Sequence, residues 1–285
     1  MATPQRIGRI QWGDLLIGPG TGYHVQALSG VDDLPDVRSA DTAKSDAHGD
    51  YTGPDYVGPR VVQLSLNLMA DTPDELRQMI LDLRRATQPG RAPADFQLLD
   101  WGISVSGKVR KRSIPYDAEY LWRSGTAAIE WYCADPYLYG LDQQAVSTVA
   151  YSPSAGRTYP RTYPMSYGAT GSSGTVDAVN NGDSPAYPVL RLDGPVANPS
   201  IEQPDTGALL ALDATLTTGD YLLIDTRSRA VLLQGTTPRR NWIRGGSTWP
   251  LLMPGSNQLT YRGSALPGAP GQSSLLTVTW RDTSL

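Results

Sequence analysis

The sequence predicts a mainly β protein built as two β-sandwich-like domains, the first with one packed α-helix. Three observations predict it. The chain has 285 residues, enough for two cores of ordinary size. Glycine (29) and proline (23) are frequent, as suits a chain that turns often between short strands. Apolar residues alternate with polar ones at period two in several runs, whereas one segment alone has clear helical spacing.

From the start, Met1-Ala2-Thr3-Pro4-Gln5-Arg6 leads into a strand-like segment with no apolar signal-peptide core. Synthesis in the cytoplasm, without export by the general pathway, is the expectation. Ile7, Ile10, Leu15 and Ile17 around Trp12-Gly13-Asp14 read as two short strands and a turn. Ser29 to Pro59 is rich in Asp, Gly, Ser and Pro and reads as a long surface loop. Val62, Leu64, Leu66 and Leu68 then alternate with Gln63, Ser65 and Asn67, the signature of a strand with one buried face.

The helix follows at once. Thr72-Pro73-Asp74-Glu75 has the form of a capping box, with a hydroxyl cap, proline at the first helical position and glutamate at the third. Leu76, Met79, Ile80 and Leu83 form one apolar stripe, and Arg84 and Arg85 complement the dipole in the last turn. Pro89-Gly90 ends it. Further strands are expected near Phe96 to Leu99, Ile103 to Val109 and Thr126 to Cys133, with Asp135-Pro136-Tyr137 breaking the last.

The texture changes between Leu141 and Pro185, where tyrosine, proline, serine and glycine replace the aliphatics. The expected organisation is therefore a first domain over 1–140, an extended connection over 141–180, partly packed on a neighbouring surface, and a second domain over 181–285. In the second, Tyr187 to Leu192, Ala208 to Leu212, Tyr221 to Asp225, Ala230 to Leu233, Gln258 to Tyr261 and Leu275 to Trp280 are β-prone. Six short strands punctuated by Gly and Pro turns indicate a β-sandwich.

Composition narrows the function. The net charge is −4, with a pI of about 5.2, so no basic field for nucleic acid is evident. No run of about 18 apolar residues could span a membrane. The single cysteine, Cys133, excludes an intrachain disulfide framework and reads as a small buried hydrophobe rather than a nucleophile. Only two histidines, His24 and His48, could serve as imidazole bases, and neither has a plausible partner nearby in sequence. None of the common hydrolase, nucleotide or zinc motifs is present.

Three weaker signals have plain structural readings. Asp32, Asp33, Asp36, Asp41, Asp46 and Asp50 could be taken for calcium ligands, but their spacing does not match an EF-hand and a solvated loop explains them. Gly18-Pro19-Gly20-Thr21-Gly22 lacks the Lys-Ser/Thr of a phosphate loop and reads as a tight turn. Trp242 and Trp249, flanking Arg244-Gly245-Gly246-Ser247, could stack on sugar rings, although packing in a core or interface is the commoner fate of tryptophan. No catalytic, cofactor-binding or metal-ligating residue is assigned, and no cofactor is expected.

Several segments together resemble a known family. They are Asn181-Gly182-Asp183-Ser184-Pro185-Ala186-Tyr187-Pro188-Val189-Leu190-Arg191-Leu192-Asp193-Gly194-Pro195, then Asn198-Pro199-Ser200-Ile201, then Gly219-Asp220-Tyr221-Leu222-Leu223-Ile224-Asp225-Thr226. Trp249-Pro250-Leu251-Leu252-Met253-Pro254-Gly255-Ser256-Asn257 and Val278-Thr279-Trp280-Arg281-Asp282 continue the series. Their order resembles the second domain of siphovirus-type tail components, the phage distal tail protein family. The helix Leu76 to Arg85 and the ending Cys133-Ala134-Asp135-Pro136-Tyr137-Leu138-Tyr139 fit the same family's first domain less sharply.

The resemblance implies a structural virion protein at the tail tip and no enzyme. It implies a homo-oligomeric ring, usually of six subunits, built by the first domain, and a second domain like a galectin or carbohydrate-binding module. The implied partners are other copies of the chain, the tail tube protein, the tape-measure protein, and baseplate hub and receptor-binding proteins; a host glycan is a further candidate. The alternative is a free-standing carbohydrate-binding module or adhesin contacting surface glycans. A glycan hydrolase would need two carboxylates at a cleft. Asp193 and Asp225 are the nearest candidates, and both read as strand-end turn residues.

Overall fold

The computed structural model describes residues 8–90, 92–116, 123–152, 171–266 and 273–285. The chain is mainly β and divides into two compact units, one ending at Leu141 and the other spanning Asp142–Ser284.

The first unit contains β1 (Ile10–Trp12), β2 (Leu15–Ile17), β3 (Tyr23–Ser29), β4 (Val37–Ser39), β5 (Thr42–Ala43), β6 (Asp50–Tyr51), β7 (Asp55–Val57) and β8 (Arg60–Met69). Helix α1 (Pro73–Ala86) follows, then β9 (Ala94–Leu98), β10 (Ile103–Ser113), β11 (Ser124–Cys133) and β12 (Leu138–Gly140). Hydrogen-bonded order runs β2-β1-β9-β10-β11-β8-β3, with β12 also on β10. The long β10 makes the closure possible. Its first half, from Ile103 to Gly107, pairs with β9, and its second half, from Lys108 onward, pairs with β11 across a register shift between Val109 and Lys111. A bulge of that kind bends a strand and re-aims its faces. The two halves of the sheet thereby close on one core, in which the Trp131 ring of β11 meets Phe96 of β9 at 4.8 Å and Trp12 of β1 at 5.5 Å.

Helix α1 seals this core. The capping box is present, with Glu75 N–H donating to Thr72 Oγ1 and Thr72 N–H to the Glu75 carboxylate. Leu76, Ile80 and Leu83 are buried in the core with Val62, Leu64, Leu66 and Leu68 of β8. Burying each such side chain stabilises by about 1.5–3 kcal/mol. Side chains from the sheet also fix the helix's position. Tyr23 donates its hydroxyl to Met79 O, and Trp12 donates its indole N–H to Ala86 O.

The stretch read as a loop from Ser29 to Pro59 is instead a β-ribbon, a correction to the sequence reading. β4 pairs antiparallel with β7, and inside them β5 pairs with β6. Its strands bury almost nothing, so no apolar alternation marked them; main-chain pairing forms the ribbon, with a bond from Gly53 N–H to the Asp41 carboxylate across it. Its root is held by Arg60, which is 1% exposed. The guanidinium donates to the carbonyls of Gly30, Val31 and Asp33 on one side and Pro136 on the other.

The second unit is a two-sheet sandwich. Its strands are β13 (Gln144–Val149), β14 (Thr175–Asn180), β15 (Val189–Asp193), β16 (Val196–Gln203), β17 (Ala208–Ala211), β18 (Thr215–Leu216), β19 (Tyr221–Asp225), β20 (Ala230–Leu233), β21 (Thr237–Pro238), β22 (Gly255–Ser264) and β23 (Leu275–Trp280). One sheet runs β13-β23-β15-β19-β20-β21; the other runs β14-β22-β16-β17, with β18 on β16. Leu190, Leu192, Ile201, Leu210, Leu222, Ile224, Leu259, Leu276 and Val278 fill the space between.

Two parts of the sequence reading change here. The stretch 141–180, read as a connection, supplies β13 and β14, each paired along its full length with β23 or β22; residues 153–170 lie outside the described residues. Strand β16, which the sequence reading did not assign, runs through Pro199. Asn198 there adopts φ +48, and the register with β22 shifts between Ala197 and Ser200, so the proline sits at a bulge.

Candidate functional site

Several of the residues with chemical potential in the sequence have structural roles in the fold. Cys133 is fully buried, and burial pushes its thiol up to about 11, which leaves it protonated and inert. His24 is exposed on β3, and His48 is exposed between β5 and β6. The acidic residues of the ribbon serve its turns: Asp33 accepts from Gly30 N–H, and Asp41 accepts from Gly53 N–H. Among the described residues no group of three His, Cys, Asp or Glu side chains converges as a metal site. The Gly18–Gly22 segment is a turn between β2 and β3, closed by bonds from Gly18 N to Tyr23 O and from Thr21 N to Gly18 O. Asp193 is bound in a bidentate pair by Arg191, and Asp225 caps its own turn through Arg227 N, Ser228 N and Ser228 Oγ.

What remains are surfaces. In the first unit, β3 ends the sheet order and pairs only with β8 among the described strands. The ribbon beyond it exposes Leu34 (67%), Tyr51 (63%) and Tyr56 (60%), an apolar content unusual for a feature that buries so little of itself. A cavity of about 460 Å³ beneath Trp12 and Tyr23 carries both signs of charge, with Asp14, Asp82, Arg85 and Lys108 on its walls, and Arg85 is already paired with Asp82.

In the second unit, a cleft of about 510 Å³ has a different character. Three segments build it. Tyr187 stands just before β15, Thr226 to Arg229 form the β19–β20 turn, and Ser247 to Leu251 belong to a strap that runs beside β17. Each segment is fixed by backbone bonds. Ala186 exchanges both main-chain hydrogen bonds with Leu252. Thr226 Oγ1 donates to Pro188 O, tying the turn to the Tyr187 segment. The strap is bonded to β17 through Thr248 N to Leu209 O, Leu209 N to Thr248 Oγ1, and Ala211 N to Ser247 Oγ.

Buried amides hold the strap from below. Gln203 donates from Nε2 to Leu251 O and accepts Leu251 N–H at Oε1. Asn257 accepts from Met253 N and donates to Met253 O and Gly255 O. Asn180 donates to Leu252 O and Ser184 O.

The cleft's lining contains two arginines and no carboxylate. Arg227 lies 5.4 Å over the Tyr187 ring centroid. Arg229 is exposed, takes part in no ion pair among the described residues, and occupies the left-handed region at φ +56. Trp249 packs partly on the core and turns the rest of its indole to the cleft; Trp242, its companion in the sequence reading, sits against Arg239 and does not line it. Sequence reasoning found Trp249 but missed Tyr187, Arg227 and Arg229, because nothing local signals that segments so far apart in the chain converge.

The comparisons with known proteins agree with this architecture. Residues 181–282 match the family model described as siphovirus-type tail component, C-terminal domain. No curated protein sequence matches the chain. Among solved structures, Dit of phage SPP1, described as a hub of the adsorption apparatus in phages infecting Gram-positive bacteria, is similar with a TM-score of 0.65 at 14% identity, covering 92% of this chain and 94% of that one. Chains of the phage P2 baseplate, solved with calcium and with strontium, align at TM-scores of 0.48 and 0.49 and 12% identity, covering 95% of this chain and 96% of theirs. Over residues 181–282 the chain thus matches the siphovirus-type tail component family, and over 92% of its length it has the fold of SPP1 Dit.

Proposed function

We propose that this chain is a structural component of a phage tail, a non-enzymatic hub that closes into a homo-oligomeric ring through its first unit. The ring joins the tail tube to the host-recognition apparatus at the tail tip. The observation that carries the reading is the match of residues 181–282 to the siphovirus-type tail component family. The likeness of fold to SPP1 Dit extends it across both units.

The physical features suit such a role. A ring forms when one surface meets a different surface on the next copy and the rotation closes. The open edge of β3 and the ribbon with Leu34, Tyr51 and Tyr56 are two such surfaces on one unit. An unpaired edge and exposed rings are liabilities on a monomer and assets at an interface.

Electron microscopy of purified particles labelled with an antibody against the second unit tests the placement. Label at the tail tip is expected. Label on the head or along the tube, or none on intact particles that contain the protein, would contradict it.

A further inference from the structure

Charge is divided in the first unit in a way that its core does not require. The ribbon from Val31 to Pro59 carries seven aspartates against Arg38 and Lys44. Asp33 and Asp41 accept main-chain bonds, whereas Asp36, Asp46, Asp50 and Asp55 are exposed and their carboxylates enter no ion pair or hydrogen bond among the described residues. The opposite sign gathers in the second half of β10, where Lys108, Arg110, Lys111 and Arg112 fill four of five successive positions. Arg112 is committed to the helix, donating to Arg84 O and Thr87 Oγ1. Lys108, Arg110 and Lys111 are exposed and form no ion pair among the described residues; Arg110 lies 4.5 Å over the Tyr132 ring and keeps its charge.

The carboxylates nearest this stretch do not cancel it. Glu130 faces Lys111 in the register and accepts from the Gln63 amide. Asp82 shares the cavity wall with Lys108 but is paired with Arg85, which leaves Asp14 on that wall. The stretch therefore remains net positive.

Register places the two charged surfaces at opposite edges. β3, β8, β11 and β10 are successive neighbours in the sheet, and β3 leads straight into the ribbon. Ser29 pairs with Gln63, Gln63 with Glu130, and Glu130 with Lys111. The ribbon thus leaves one edge at the level where the basic stretch stands on the other, about 14 Å away at ordinary strand spacing. From Lys108 onward β11 is the only strand partner of β10 among the described residues, so the far edge of this stretch is open. Because the ribbon adjoins the β3 edge, a closed ring also needs a receiving surface away from both.

We infer that the basic half of β10 receives the acidic ribbon of a second copy of this chain. The inference rests on the ring reading and adds to it which surfaces meet. Opposite charge guides ribbon to strand, whereas ribbon against ribbon repels. Head-to-tail contact, which can close a ring, is thereby favoured over a two-fold dimer.

Charge swaps on the full chain test it, with light scattering over a concentration series as the readout. Asp50→Lys/Asp55→Lys makes the ribbon basic, and Lys108→Glu/Lys111→Glu makes the strand acidic. Each swap alone should raise the concentration needed for assembly by about tenfold or more. An equal mixture of the two variants, or one chain carrying both swaps, should assemble near the wild-type concentration, since every ribbon again finds an opposite charge. That recovery also shows that the variants are folded. Asp142→Lys/Asp177→Lys, equal in charge change but placed on the second unit, should assemble like the wild type and fail to rescue the acidic strand variant. Single swaps that assemble like the wild type would overturn the inference and leave the ring reading standing. Absence of recovery in both the mixture and the combined chain, or equal rescue by the second-unit control, would overturn it too. A wild-type chain that never assembles would remove the ring reading and this inference together.

Discussion

The ribbon of the first unit and the strap of the second are both long excursions from a β core, yet they are held in opposite ways. The ribbon, residues 31–59, hangs on its root. Arg60 gathers the carbonyls of Gly30, Val31, Asp33 and Pro136, and beyond that point the chain is almost wholly exposed. The strap is held along its length, by β17 on one side and by Gln203, Asn180 and Asn257 beneath it. A feature fixed only at its base can adapt to a partner surface, whereas one bonded throughout presents a fixed shape. The difference teaches that exposure alone does not decide how firmly an excursion is held: the ribbon depends on one buried arginine, the strap on bonds along its whole length.

The sharpest way to break the comparison is at the ribbon's root. Arg60→Ala leaves four buried or half-buried carbonyls without their charged donor. The first unit should lose on the order of 3–5 kcal/mol in urea unfolding, since bonds to charged groups are strong and orphaned acceptors costly. A loss below about 1 kcal/mol, within the range of a single ordinary hydrogen bond, would mean that the root is held by something else.

The helix that seals the same core comes next. Leu76→Ala or Ile80→Ala should cost about 2–5 kcal/mol, as for other buried large-to-small changes. A value within about 0.5 kcal/mol, the usual surface range, would contradict the core assignment.

On the strap, Asn257→Ala removes an amide bonded to Met253, Gly255, Ala178 and Gln203. It should destabilise the second unit by about 2–3 kcal/mol. Hydrogen exchange should also quicken at Leu251 and Leu252 before the sheets themselves open. Uniform quickening throughout the unit would show that the strap is not a separately held element.

The smallest effect on stability is expected at the exposed rings of the ribbon. Tyr51→Ser and Tyr56→Ser should change unfolding by no more than about 0.5 kcal/mol, since both rings are exposed in the chain by itself. Self-association should weaken markedly all the same. A clear loss of stability in the dilute monomer would show that the rings support the fold rather than a partner.

How far the sequence spoke follows the same physics. Helix α1 was legible because its cap, its stripe and its last-turn arginines all point one way, and β8, β19 and β23 because one face of each is apolar. The ribbon was hidden because its strands face water on both sides, so pairing left no trace in side-chain chemistry. Strands β13 and β14 were hidden by the tyrosine- and serine-rich chain between them, which made the whole stretch look like a connection. Strand β16 was hidden by Pro199, tolerated only because Asn198 turns the backbone at a bulge. The cleft was half legible. Trp249 drew attention as an indole beside a glycine pair, whereas Arg227, Arg229 and Tyr187 look like ordinary turn residues until the fold brings them together.

The central proposal is that this chain assembles with itself through its first unit. Light scattering on the full-length protein across a concentration series, repeated with Tyr51→Ser/Tyr56→Ser, tests it most directly. The wild-type mass should rise with concentration to a plateau at a whole multiple of the chain, the mark of a closed ring, and the double variant should reach that plateau only at higher concentration. A wild-type protein that stays monomeric at every concentration, with no ring density at the tip of assembled particles, would contradict the account.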